Sequence, residues 1–86
     1  MNITTLRQKI DATDRSIIKI LAQRLRFSEA IGKEKKKGRL AVTDRLRELR
    51  MREDRCKLSL HLHLDPRWVE QVFRLIVKES KRIQKL

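Results

Sequence analysis

An all-α protein is the fold class this sequence predicts, on three observations. Glycine and proline are scarce, two and one in 86 residues, and the aromatics are limited to Phe27, Trp68 and Phe73. The chain is built instead from Leu, Lys, Arg, Glu and Gln, which are good helix formers. Its apolar residues recur in steps of three and four, and start and stop signals divide that pattern into three segments.

The first segment opens with Thr5 and Gln8 in capping-box spacing and meets no Gly or Pro before Gly32. Ile3, Leu6, Ile10, Ile17, Ile20, Phe27 and Ile31 fall on one seam of the coiled-coil kind. A helix from about Thr5 to Lys36 is roughly 48 Å long at ~1.5 Å per residue, well beyond the ~30 Å diameter of a small domain. Two shorter helices of the same chain cannot cover such a seam completely. A second copy of the chain is the simplest cover, so an intertwined helical homodimer is expected.

Gly38 is the natural stop, with Lys36, Lys37 and Arg39 suited to the negative end of the helix dipole. After a loop over about 39–42, Thr43 or Asp44 can cap a second helix whose stripe is Leu46, Leu49, Cys56 and Leu60. That helix should end between His61 and Leu64. The third start is the clearest: Asp65 as N-cap and Pro66 at the first helical position. Trp68, Val69, Val72, Phe73, Ile76 and Ile83 then carry the pattern almost to Leu86. One domain over residues 1–86 is expected, with no fused module and a single function.

No stretch approaches the roughly 20 apolar residues that span a bilayer, and MNITTLRQKID lacks the apolar centre of a signal peptide, so a cytoplasmic protein is expected. Cys56, the one cysteine, sits at core spacing from Leu49 and Leu60. His61 and His63 point to different sides of a helix end, and nothing nearby completes a ligand set, so no metal is expected. The net charge of +12 calls for an anionic partner without saying which kind.

Polar residues in places the apolar pattern reserves for a core are more informative, because burying them unpaired costs several kcal/mol. Arg24, Ser28, Ile31 and Lys35 share one face of the first helix. On the third, the steps from Phe73 and Ile76 lead to Ser80 and then to Ile83 or Gln84; on the second, Asp44, Glu48 and Met51 line up beside the Leu stripe, with Arg47 adjacent. Each alone has a plainer account: long cations reach back to solvent, helix ends fray, and an aspartate caps. Together they describe an interior pocket for a small polar anion. Arg7 lies seventeen residues before Arg24, about 25 Å along the same helix. One small ligand cannot touch both in one chain, whereas in an antiparallel dimer Arg7 of the second chain can approach Arg24.

In the segments LRQKIDATDRSIIKILAQR, IGKEKKKGRLAVTDRLRE and LDPRWVEQVFRLIVKESKRIQ the chain resembles the all-helical AroQ class of chorismate mutases. The resemblance places Arg7, Arg24, Lys35, Asp44, Arg47, Glu48, Ser80 and Gln84 in that family's substrate pocket. It implies an intertwined homodimer that rearranges chorismate to prephenate, on the way to phenylalanine and tyrosine, with no cofactor. It further implies that Arg24 and the second chain's Arg7 bind carboxylates, and that Lys35 and Gln84 donate to the ether oxygen, making Arg24, Lys35 and Gln84 the catalytic group. Glu48 and the Asp44 region would hold the ring hydroxyl, with Arg47 and Ser80 completing the pocket. Ala41 stands where relatives often carry proline, which implies a looser loop before Asp44. The cations of Lys33–Arg39 and Arg45–Arg55 exceed what two carboxylates need and read mostly as solvated surface.

Two other functions compete. An isochorismate pyruvate lyase would share the helices and much of the cationic pocket, but the Asp44, Arg47, Glu48 combination and Ser80 favour the mutase, since lyases of this type lack that acidic second-helix set. A basic helical protein that binds nucleic acid is disfavoured, because three aromatics are too few for base stacking and no recognition helix is evident.

Overall fold

The computed structural model describes all 86 residues as three helices: α1 over Ile3–Lys37, α2 over Arg45–His61 and α3 over Pro66–Gln84. The fold class and the three segments are as the sequence predicts. The start of α1 differs, and its cap explains why, while the other two starts are as expected. Asn2, not Thr5, caps α1: its side-chain oxygen accepts from the Thr5 backbone N–H at 2.8 Å, which starts the helix two residues early. Asp44 caps α2 by accepting from Arg47 N–H at 3.1 Å, and Asp65 caps α3 by accepting from Arg67 N–H at 2.9 Å with Pro66 in the first turn. The last helix runs to Gln84, almost to Leu86 as expected.

Both interior helix ends close in the same way. Gly38 is the C-cap of α1 but keeps a right-handed φ of −84°; the left-handed turn falls on Arg39, with φ 54°. Arg39 N–H then reaches Lys36 O at 3.2 Å, and Leu40 N–H reaches Lys35 O at 2.8 Å. His63, φ 59°, repeats this after α2, with His63 N–H to Leu60 O at 3.2 Å and Leu64 N–H to Ser59 O at 2.8 Å. These are Schellman closures carried by residues with a Cβ, where glycine is the easier occupant. His61 and His63 are both exposed at this end of α2.

Packing within the chain is thin. Helix α3 lies against both α1 and α2, while α1 and α2 do not pack on each other. Where α1 and α3 meet they run in the same sense, Ser80 against Arg24 and Ser28, and Gln84 against Lys35. The four buried residues are small: Ser28, Gly32, Ser59 and Ser80. No apolar side chain is buried, and Cys56, expected in a core, is only half-buried. The α1 seam is open along its length, with Ile10 at 59%, Ile20 at 63% and Phe27 at 59% exposure. The α2 leucines Leu46, Leu49 and Leu60 are exposed as well, because α2 turns Arg55, Cys56 and Ser59 toward the rest of the chain.

The shape follows from this. The molecule measures 55 × 24 × 15 Å with a radius of gyration of 16.0 Å, against about 12 Å for a compact domain of this length. Its accessible surface is 7705 Å², whereas a compact monomer of this mass exposes roughly 5,400 Å². No helix is long and apolar enough to cross a membrane.

Candidate active site

Seven of the eight candidate residues line one cleft of about 960 Å³ where the three helices converge. Helix α1 contributes Arg24, Ser28 and Lys35 from one face, α2 contributes its cap Asp44 with Arg47 and Glu48 from its first turn, and α3 contributes Ser80 and Gln84. Arg7 is not among them. It lies exposed on the free N-terminal half of α1, remote from this cleft.

Helix α1 can approach α3 closely because Gly32 has no side chain. A Cβ there would stand 2.7 Å from the Cα and 2.8 Å from the carbonyl oxygen of Gln84. The contact sets the height of Gln84 against Lys35. Lys35 Nζ then donates to Gln84 Oε1 at 3.0 Å and to the Val42 carbonyl at 2.6 Å. The second bond ties down the loop that holds Ala41 and leads into Asp44, the loop expected to be loose. One turn before Gln84 on α3, Ser80 Oγ accepts from the Arg24 guanidinium and, at 2.9 Å, from Ser28 Oγ. Ser80 thus fixes where Arg24 points, and Ser28, on the predicted face, fixes Ser80.

The cleft carries nine cationic side chains against three carboxylates. Burial, reinforced by repulsion from Arg55, lowers the Arg24 pKa from its ordinary value. A guanidinium titrates so far above neutrality that it stays charged all the same, so Arg24 presents a partly desolvated cation. On the opposite wall Arg55 grips Glu70 with two bonds, Nε to Oε1 at 2.7 Å and Nη2 to Oε2 at 3.0 Å, and lies 4.8 Å from the Phe73 ring centre. That hydrogen bonding holds the Glu70 carboxyl below its usual range, with the charges of Arg55 and Arg52 adding to it and burial opposing it. Arg55, grouped with the solvated cations on sequence grounds, is therefore a fixed part of the cleft wall. Glu48 pairs with Lys81 of α3 at 2.6 Å.

Sequence reasoning missed Gly32, Arg55, Glu70 and Lys81. Only Lys81 had a signal, as the neighbour of Ser80 on the face that leads to Gln84. A crossing point such as Gly32, or a pair fifteen residues apart on different helices such as Arg55 and Glu70, has no mark in periodicity.

Chemically the cleft is a rigid array of donors with no nucleophile placed against a base. Lys35, Arg24 and the free amide hydrogens of Gln84 suit an anion with several oxygens, and Glu48 and Asp44 on the far side suit a hydroxyl.

The chain is 32% identical over 78 residues to the bifunctional chorismate mutase/prephenate dehydratases of Escherichia coli (strain K12) and Shigella flexneri, over 91% of this chain and 20% of each relative. It is likewise 32% identical to the T-protein of Enterobacter agglomerans, over 91% of this chain and 21% of that protein. The chain thus spans about a fifth of the length of these curated relatives. Residues 6–85 match the family described as chorismate mutase type II, which takes in α2, α3, all but the first three residues of α1, and every residue of the cleft. By that match, the chain belongs to the chorismate mutase type II family.

Proposed function

We propose that this chain is a chorismate mutase, an isomerase that rearranges chorismate to prephenate in a homodimer. The observation that carries the reading is the Lys35–Gln84 bond, 3.0 Å long. An ammonium only donates, so the Gln84 atom facing it is the carbonyl oxygen, and the amide nitrogen is turned the other way with both hydrogens available. Two donors on adjacent helices are thereby fixed as a unit.

The rearrangement is concerted: the carbon–oxygen ether bond breaks as a carbon–carbon bond forms within one molecule, with no net proton transfer. It needs a compact dianion and stabilisation of negative charge on the departing oxygen. Lys35 and the Gln84 amide supply the second, and Arg24, oriented by Ser80, anchors a carboxylate. Glu48 and the Asp44 region receive the ring hydroxyl, and Arg47 adds charge at the rim. A million-fold acceleration corresponds to about 8 kcal/mol, within reach of two charge-assisted donors and conformational restriction.

Dimerisation is part of the proposal. The open α1 seam and roughly 2,300 Å² of surface beyond that of a compact monomer are on the scale of an obligate interface. Arg7 of the second chain would then complete the carboxylate site next to Arg24. The chain is proposed to act in the cytoplasm, where the aromatic amino acid precursors are made, with no cofactor.

The test is product analysis. Purified protein with chorismate should yield prephenate, and with isochorismate no pyruvate; Lys35→Ala should lose most of the activity while keeping its helix content. Pyruvate from isochorismate, or near-normal kcat/KM in folded Lys35→Ala, would remove the assignment.

A further inference from the structure

Three of the chain's ion pairs join residues three or four apart on one helix and are well exposed; Lys33–Glu29, for example, leaves its side chains 72% and 60% accessible. Such pairs contribute little. Lys81–Glu48 differs from them. It joins α3 to α2 across the cleft at 2.6 Å, its side chains are 32% and 39% accessible, and both residues line the same cleft as Ser80 and Gln84. Lys81 stands against Oε1 of Glu48, the oxygen of that carboxylate it pairs with.

We propose that Lys81 is a positioning residue for substrate selection: it commits one oxygen of Glu48, so that the other is presented as an acceptor to the hydroxyl on the substrate ring. The inference rests on the chorismate mutase reading and deepens it. A glutamate has three side-chain torsions, and an untethered one would lose rotamer freedom each time substrate bound. The Lys81 ammonium incurs that cost in folding instead. What remains is a single acceptor in a fixed place, which favours a substrate that carries a hydroxyl over one that lacks it, since an acceptor left facing a hydrogen-free position is desolvated without return.

The experiment is a double-mutant cycle in kcat/KM over wild type, Lys81→Met, Glu48→Gln and the double variant. It is run with chorismate and with an analogue whose ring hydroxyl is replaced by hydrogen, after circular dichroism shows intact helix content. Lys81→Met should lose about tenfold with chorismate in the wild-type background, mostly in KM, and less than about twofold in the Glu48→Gln background or with the analogue. Lys81→Arg, which restores a donor of similar reach, should recover most of the loss. Lys81→Gln takes the place of Lys81→Met if the latter does not fold. Equal losses in both backgrounds, or with both substrates, would mean that Lys81 meets a substrate carboxylate directly, and no loss at all would mean an idle pair; either result overturns the proposal while a prephenate-forming wild type keeps the mutase reading. A wild type that forms no prephenate overturns both.

Discussion

Lys35 and Gln84, forty-nine positions apart on α1 and α3, are joined by a bond from Nζ to Oε1 of 3.0 Å, and the joint works only because Gly32 lets the two helix backbones meet one turn away. The lysine sets the rotamer of the glutamine, and the glycine sets its height. The geometry of the Lys35–Gln84 pair thus depends on a residue with no side chain.

Gly32→Ala should therefore cost both stability and activity. The added Cβ would lie 2.7 Å from backbone rather than from a flexible side-chain tip, so α3 must shift, at about 1–3 kcal/mol. The shift moves Gln84, and kcat should fall more than the loss of melting temperature accounts for. An alanine variant with unchanged melting and unchanged kcat would show that the contact is looser than drawn.

Gln84→Glu should make the reaction conditional on acid. An amide donates at every ordinary pH, whereas a carboxylate accepts only and must be protonated before it can donate. Activity of the variant should fall as pH rises through that carboxyl's pKa and recover below it, while the wild-type profile shows no such limb. A variant with the wild-type profile would place Gln84 away from the reacting oxygen.

Composite sites can be read from subunit mixing. Arg7 is exposed on the free half of α1, far from Arg24 in its own chain. Inactive Arg7→Ala and Arg24→Ala chains, mixed and reassociated, should regain part of the wild-type rate, because one of two sites in each heterodimer receives both arginines. A verified heterodimer without recovery would confine each site to one chain.

Glu70 gives an acid limb to stability. Its folded pKa is lowered, chiefly by the Arg55 hydrogen bonds, so the folded chain binds fewer protons than the unfolded one as the carboxyl titrates. The stabilisation is complete above the unfolded value of about 4.3 and is lost as pH falls through the lower folded value. Glu70→Gln should cost on the order of 1–2 kcal/mol at neutral pH and flatten the decline in acid, as measured by denaturant unfolding at fixed protein concentration. An equally steep decline in the variant would assign the acid limb to other groups.

His63→Gly should stabilise the protein. His63 closes α2 at φ 59°, where a side chain costs about 1 kcal/mol that glycine does not incur. The denaturation midpoint should rise by a corresponding amount with kcat unaltered, since His63 lies outside the cleft. A lower midpoint would mean that the imidazole makes a compensating contact.

The sequence by itself determined the three helices, because their signals are local: Asp44 and Asp65 cap where a short acceptor precedes an apolar run, Pro66 sits where a missing N–H costs nothing, and Gly38 marks the stop. It also pointed to part of the cleft lining, because Arg24, Lys35, Ser80 and Gln84 stand where the apolar pattern calls for aliphatics, whereas nothing local marks Gly32, Arg55 or Glu70. Tertiary structure alone decided how those groups are held. That Lys35 locks the Gln84 amide, that Ser80 aims Arg24, that Arg55 is fixed by Glu70 rather than solvated, and that Lys81 grips Glu48 all depend on which side chains meet across helix crossings. Periodicity places a residue on a face of its own helix, but the depth and register at which two faces meet are set by the small residues between them. Here those are Gly32, Ser28 and Ser80, which are buried at the crossing of α1 and α3.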